Sequence, residues 1–396
     1  MMTSSNRHVI AHVLTRLLNG GAEENTLHTC RFQSEAGHRV ILIHGRDYDP
    51  EVAARARAVC EVVEVPSLVH PLSWRLDFRA IGELRRLIKL VGADVVHTHQ
   101  SKAGIVGRIA ARLADVKLIV HGVHILPWVN VGRAKALVYL VAERLCARFT
   151  DAFVSVSPSV REACLEKRIG DPSRHFVAFS AMDVEKFKDA LPPPDLYEML
   201  GVDPGKDRPP VALMLAAFEP RKRQADVVRA LPEAFRAVPD WRVVFAGEGP
   251  EHEATRDLVQ ELNLQEFVRF VGYRGDPERL IAMADVCFLT SEREGLPRVV
   301  VQYAAGGKAM VVSALPGLDD VLTDDGAAVI TPADDVSAAV RQVARLLCEP
   351  ERRDRMAWAA KTIAVDRWSP ASMARSIDAA YEAGWWRRSV LAERDS

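Results

Sequence analysis

The 396-residue chain has no stretch approaching 18 uninterrupted apolar residues, which excludes a membrane-spanning helix. Its six cysteines form no CxxC pair and fall mostly in apolar or helical stretches. They read as free thiols of a reducing compartment rather than as a disulfide framework. At the N-terminus His8, His12 and Arg16 interrupt the apolar run and no small-residue cleavage site follows, so a secretory leader is not expected. Internal repeats and low-complexity tracts are missing too. No interleaving of aromatic with basic residues accompanies the charge, which argues against a nucleic-acid partner. A cytoplasmic globular protein is what these absences leave.

What is present is alternation and a charge asymmetry. The net charge is only −1, yet residues 1–175 hold 24 basic against 17 acidic residues and the remainder 28 against 36. The basic first half suits an anionic partner, a phosphate or a membrane face. Strands are expected at 8–13, 39–44, 62–65, 94–99, 118–121 and 152–156, with helices between them at 22–35, 78–91, 103–113 and 134–149. The last of these carries Leu137, Leu140, Val141 and Leu145 on one side, the stripe of a core-facing or interfacial helix. The stretch LPPPDLYEMLGVDPGKDRPP at 191–210 reads as a linker, after which strand and helix signals restart. A last helix is expected over 369–386 with Ser369 as its cap. The expected division is 1–190, a linker at 191–210, 211–368, and a C-terminal helix and tail at 369–396. The fold class is α/β, two doubly wound domains with a cleft between them.

Chemistry gathers in the loops after strands, where open α/β sheets bind ligands. The stretch ADVCFLTSEREGLPRVVVQYAAGGKAMVV at 284–312 is a βαβ unit whose loop offers Ser291, Glu292, Arg293 and Glu294. Gly295 permits close backbone approach, and Pro297 is expected at the first helical position beside amides suited to an anion. Gln302, eight residues beyond Glu294, lies on that helix. In AAFEPRKR, Lys222 stands between Arg221 and Arg223 at a helix start and is a candidate diphosphate ligand. GEGP at 247–250 and VGYRG at 271–275 follow two further strands, placing Gly247, Tyr273 and Arg274 near a ligand, the tyrosine ring suiting a flat base.

In the first half, His97 and His99 end a strand and share one face, because strand side chains alternate. Ser101 and Lys102 open the next helix, and His121 and His124 end the following strand. A catalytic or substrate-binding histidine pair is expected here, and no metal, since HxH and HxxH lack a carboxylate or thiolate at a fitting spacing. NGGAEEN, with Gly20 and Gly21, sits at the first βα turn but is not the GxGxxG of a dinucleotide site.

In order, GGAE, DVVHTHQSKAGIVGRIAARLA, HGVHILPW, SAMDVEKF, Lys222 in its turn, GEGP, FVGYRGD and ADVCFLTSEREGLP resemble the motifs of family 4 retaining glycosyltransferases of GT-B fold. HTHQSKAG and VHILPW look most like bacterial enzymes that build capsule, O-antigen or exopolysaccharide units on a lipid carrier. The resemblance implies two Rossmann-like domains, with the final helix packing back on the first. It implies a nucleotide-diphosphate sugar, UDP-linked, as donor substrate with no separate cofactor, and a lipid-linked or glycan acceptor at the cytoplasmic membrane face. Glu294 matches the first Glu of the family's ExxxxxxxE motif and would bind hydroxyls of the donor sugar. Gln302 stands where the family has its ribose-binding Glu, and Ala217 where it has an Arg, with Arg298 or Arg221 as candidate replacements. Lys222 matches the phosphate-binding Lys, His124 the histidine near the transferred sugar, and Gly20 with Gly21 the phosphate-facing turn. Gly247, Tyr273, Arg274, Gly295, Leu296, Pro297 and Arg298 complete the expected donor side, and His97, His99, Ser101 and Lys102 the acceptor side. A GT-B sugar-nucleotide epimerase and a non-catalytic nucleotide-sugar-binding partner are the competing readings.

Overall fold

Short apolar runs rich in Val, Ile and Leu form parallel strands buried on both faces, and the amphipathic stretches between them form the covering helices. The computed structural model describes residues 7–129, 131–292, 297–315, 318, 322 and 326–394. The chain divides into two compact units, Met1–Ala181 with Pro370–Ser396, and Met182–Ser369.

The first unit runs β1 (Val9–Leu14), α1 (Gly21–Glu35), β2 (Arg39–His44), α2 (Pro50–Arg57), β3 (Glu61–Glu64), α3 (Trp74–Val91), β4 (Val95–His99), α4 (Ser101–Leu113), β5 (Leu118–Val123), α5 (Arg133–Ala147), β6 (Ala152–Ser155), α6 (Pro158–Glu166) and β7 (His175–Val177). Among the described residues its sheet has seven strands, all parallel, in the order β3-β2-β1-β4-β5-β6-β7. The order reverses between β1 and β4, so the loops leaving these neighbours run to opposite faces and open a crevice at their carboxyl ends. Strand β7 was not foreseen; it has three residues, too few for an alternation to register.

The second unit runs α7 (Glu185–Lys188), α8 (Leu196–Leu200), β8 (Val211–Leu215), α9 (Gln224–Ala237), β9 (Arg242–Ala246), α10 (His252–Glu261), β10 (Val268–Phe270), α11 (Pro277–Met283), β11 (Val286–Leu289), α12 (Arg298–Ala305), β12 (Ala309–Ser313), β13 (Ala328–Thr331), α13 (Val336–Leu347) and α14 (Pro350–Trp368). Its parallel sheet has the order β10-β9-β8-β11-β12-β13 among the described residues, with the reversal between β8 and β11. Helix α15 (Pro370–Arg394) returns to the first unit, where Met373, Ile377, Ala380 and Tyr381 join the core over β5, β6 and β7.

One expectation changes, and a second, the core-facing or interfacial stripe of α5, is narrowed. The stretch 191–210 is part of the second unit rather than a free linker: Leu200 of α8 is fully buried, and Asp195 pairs with Arg274 at 2.8 Å. Its prolines and glycines shape short turns against the unit. Helix α5 buries Glu143, Cys146 and Ala147, leaving Leu137, Val138, Val141 and Leu145 exposed. The rotation follows from Glu143, whose carboxylate accepts from the fully buried Arg108 guanidinium at 2.6 Å. A buried charge left unpaired would cost several kcal/mol, so the pair holds the Glu143 side of α5 against the unit.

Candidate active site

At the reversal of the first sheet, His12 of β1 stands beside His97 of β4 in register. Alternation puts His99 on the same face as His97, and the two rings stack with centroids 4.3 Å apart. His12 Nδ1 lies 2.9 Å from His99 Nε2, and His99 Nδ1 lies 3.1 Å from His124 Nε2 just beyond β5. His12 Nε2 donates to Gln33 Oε1 of α1 at 2.7 Å, and Gln33 Nε2 donates to Tyr381 OH at 3.2 Å. Tyr381, brought by α15, also reaches His97 Nδ1 at 2.9 Å. Gly122 makes room for the three rings. A Cβ there would stand 2.9 Å from His99 Nδ1, 3.1 Å from His124 Nε2 and 3.3 Å from His97 Nε2.

Burial removes the water that would solvate a charged imidazole and so lowers every pKa in the group. His12 and His124 are pulled down to about 4. His97, His99 and His121 fall well below the ordinary value, again chiefly through burial, with the proximity of the other imidazoles, and for His121 first the Arg108 guanidinium, adding to it. All five are neutral at pH 7. His12, His97 and His99 are, among the described residues, the one grouping of side chains close enough to share a metal. Their lone pairs do not converge, however. His12 and His99 meet end-on across a hydrogen bond, with planes 16° apart, and His99 lies flat against His97.

In the second unit the loops after β8 and β11 meet at the reversal. Pro220–Lys222 is one 3-10 turn, closed by Arg223 in the left-handed region at φ 60°. The turn's carbonyls are held by the β11 loop: Thr290 Oγ1 donates to Lys222 O at 3.1 Å and Glu292 N to Arg221 O at 2.9 Å. Lys222 is 8% exposed. Arg223 is taken up by Asp226 and the Ala333 carbonyl, both at 2.8 Å, and Arg221 by Glu219 at 2.6 Å. Gly247, at φ 148°, packs against the backbone just beyond β8, and a Cβ there would meet Ala216 O at 2.1 Å. Pro297 precedes α12 as its N-cap, one place earlier than expected, and Arg298, the first helical residue, is exposed. Gln302 is part-buried on α12. Glu294, Gly295 and Leu296 lie outside the described residues.

Residues 202–363 match the model of group 1 glycosyl transferases, and residues 20–178 that of the glycosyl transferase 4-like domain. A GDP-mannose-dependent alpha-(1-6)-phosphatidylinositol monomannoside mannosyltransferase of Mycolicibacterium smegmatis is 30% identical over 76% of this chain and 79% of its own length. The chain belongs to the family 4 glycosyltransferases. A second relative, the UDP-Gal:alpha-D-GlcNAc-diphosphoundecaprenol alpha-1,3-galactosyltransferase of Escherichia coli, is 29% identical over 71% of this chain and 73% of its own. The GT-B fold appears in a glycosyltransferase from Rickettsia africae, with TM-score 0.77, 17% identity, and 96% and 99% of the two chains covered. Anabaena HepE, solved with UDP and glucose, gives 0.66 at 20% identity over 94% and 98%.

In this glycosyltransferase several anticipated ligands have structural partners. Lys102, expected on the acceptor side, is buried and pairs with Asp77 of α3 at 2.5 Å. His97 and His99, expected on the acceptor side, are buried in the histidine group and line a narrow cavity beside Gly122 and His124. Arg274 is clamped by Asp195 and Asp276, each at 2.8 Å, and these carboxylates push its pKa up. Tyr273 is 80% exposed at the end of β10. Gly20 caps α1, with Glu23 buried beside it, and Ser101 opens α4. Sequence reasoning missed Gln33, Tyr381 and Gln100. Gln100 sits at φ 63°, accepts from Thr15 N at 3.2 Å and donates to Glu23 Oε1 at 2.8 Å. Its signal was the strand end before it, where strained backbone accompanies function.

Proposed function

We propose that this glycosyltransferase moves a hexosyl or N-acetylhexosaminyl group, with retention at the anomeric carbon, from a UDP-sugar to a lipid-linked diphosphate acceptor. The observation that carries the reading is the similarity to a galactosyltransferase whose named acceptor is a diphosphoundecaprenol, over nearly three quarters of both chains. In such a transfer negative charge builds on the departing diphosphate, and fixed positive groups that meet it lower the barrier. Lys222 supplies that charge from its turn, the amides at the start of α12 add their partial charges, and Arg298 replaces the arginine that Ala217 lacks. Gln302 offers its carbonyl oxygen to a ribose hydroxyl. Glu294 binds the donor sugar's hydroxyls and His124 contacts the sugar, without a metal cofactor. The acceptor engages the first unit, whose exposed basic and apolar residues on α5 suit an anionic lipid surface on the cytoplasmic side. No helix of the described residues is long and apolar enough to cross a membrane.

The test is incubation with a panel of UDP-sugars and a short-chain N-acetylglucosaminyl-diphospho-lipid. A glycosylated lipid whose new linkage keeps the donor's anomeric configuration by NMR is the expected product. Interconversion of the donor without acceptor overturns the reading in favour of an epimerase.

A further inference from the structure

The hydrogen bonds of the buried histidine group form one directed chain. Gln33 Oε1 can only accept, so the 2.7 Å contact makes His12 Nε2 the donor. A neutral imidazole carries one N–H, and these rings are neutral. His12 Nδ1 must then accept from His99 Nε2, which leaves His99 Nδ1 to accept from His124 Nε2. The proton of His124 is thereby placed on Nε2, and its Nδ1 keeps a lone pair. That atom is buried and has no hydrogen-bond partner. The centroid separations fit this chain: 5.2 Å for His12 with His99 and 5.3 Å for His99 with His124 are the spacings of end-on N–H···N contacts. On the other branch Gln33 Nε2 donates to Tyr381 OH, whose proton goes to His97 Nδ1. This puts the remaining His97 proton on Nε2, the second ring nitrogen of the group without a partner. The group therefore ends in one open acceptor and one open donor, and both ends line a narrow cavity with Gly122 and His99.

We infer that Gln33 is a positioning residue that sets the tautomer of His124 through His12 and His99, so that His124 presents Nδ1 as an acceptor for a hydroxyl of the bound sugar. The sugar contact rests on the function proposed above; the tautomer does not. Reversal of the Gln33 amide would invert every bond in the chain and present His124 Nδ1 as a donor.

Histidine-selective 15N labelling reads the tautomer in the full chain without ligand. His124 is expected to show a protonated Nε2 and an unprotonated Nδ1. Gln33→Met, which removes the acceptor, should give a mixed or reversed His124 tautomer and at least a tenfold loss of kcat/KM for the donor. Gln33→Glu, which keeps an acceptor oxygen toward His12, should retain the tautomer and most of the activity. Protonated Nδ1 in the wild-type spectrum overturns the inference, and needs no variant that folds. So does a Gln33→Met protein of normal melting temperature whose His124 signals match wild type. A shifted tautomer with unchanged transfer upholds the positioning role and overturns instead the contact between His124 and the sugar.

Discussion

Single residues were legible in the sequence where local geometry fixes their direction. His97 and His99 share a face because strands alternate, and Lys222 follows a strand whose end must face the crevice. Gln33 and Tyr381 were not legible, because their hydrogen bond joins positions 348 residues apart, brought together by the return of α15. The fate of Lys102 was hidden for the same reason, since nothing in its own neighbourhood announces Asp77. Arg221 and Arg223 lie against Glu219 and Asp226 at the surface of the turn, and Lys222 is buried within it where the turn is pinned to β11. Lys222→Ala is expected to lower kcat/KM for the donor by about a hundredfold or more, the scale set by removing one fixed group that stabilises developing charge. The melting temperature of the free protein should stay within a few degrees. Steady-state kinetics over a donor titration, beside a thermal melt, checks both; near-normal turnover would remove Lys222 from the site.

At the level of elements, the order and type of most strands and helices were readable, because the apolar runs are short and the turns are marked by Gly and Pro. Rotation of a helix was not. The leucine stripe of α5 has the period of a core-facing helix, yet the Arg108–Glu143 pair turns it outward, with Leu137 and Val138 about 60% exposed. Periodicity reports that a helix has an apolar face and leaves open what covers it. Arg133, Lys135, Arg144 and Arg148 lie exposed around the same stripe. An apolar stripe edged by cations is the pattern of a helix that rests in a lipid interface. Leu137→Asp with Val141→Asp should cut co-sedimentation with vesicles containing anionic phospholipid at least fivefold, while transfer to a soluble short-chain acceptor stays near wild type. Unchanged sedimentation would show that α5 is not the lipid-facing element.

For the whole molecule, the two units differ most in their histidines. Eleven of the twelve lie in Met1–Ala181, and only His252 falls in Met182–Ser369. Among the eleven, His12, His97, His99, His121 and His124 are shifted furthest down, with His12 and His124 at about 4, and His44 and His175 are lowered by burial as well. An unfolded histidine titrates near 6.5, so between pH 6.5 and about 4 the unfolded first unit binds protons that the folded one refuses. The stability these groups contribute is therefore complete above about pH 6.5 and falls as the pH drops below it. A depression of this size in one isolated histidine corresponds to about 3 kcal/mol, and because the rings interact the group loses less than that value multiplied by its number. The carboxylates that gain arginine partners in both units, such as Glu61, Glu349 and Asp276, titrate lower, so the upper part of the window belongs to the histidines. Acid should thus loosen the first unit before the second. Amide hydrogen exchange at pH 5.0 and 7.5, corrected for the intrinsic pH dependence of exchange, is expected to show protection lost first in β1, β4 and β5 while β8 and β11 hold. Equal loss in both units would mean that the buried histidines are not what acid attacks. His12→Gln with His99→Asn should narrow the gap between the two units, because it removes protonation sites from the first and leaves the second unchanged.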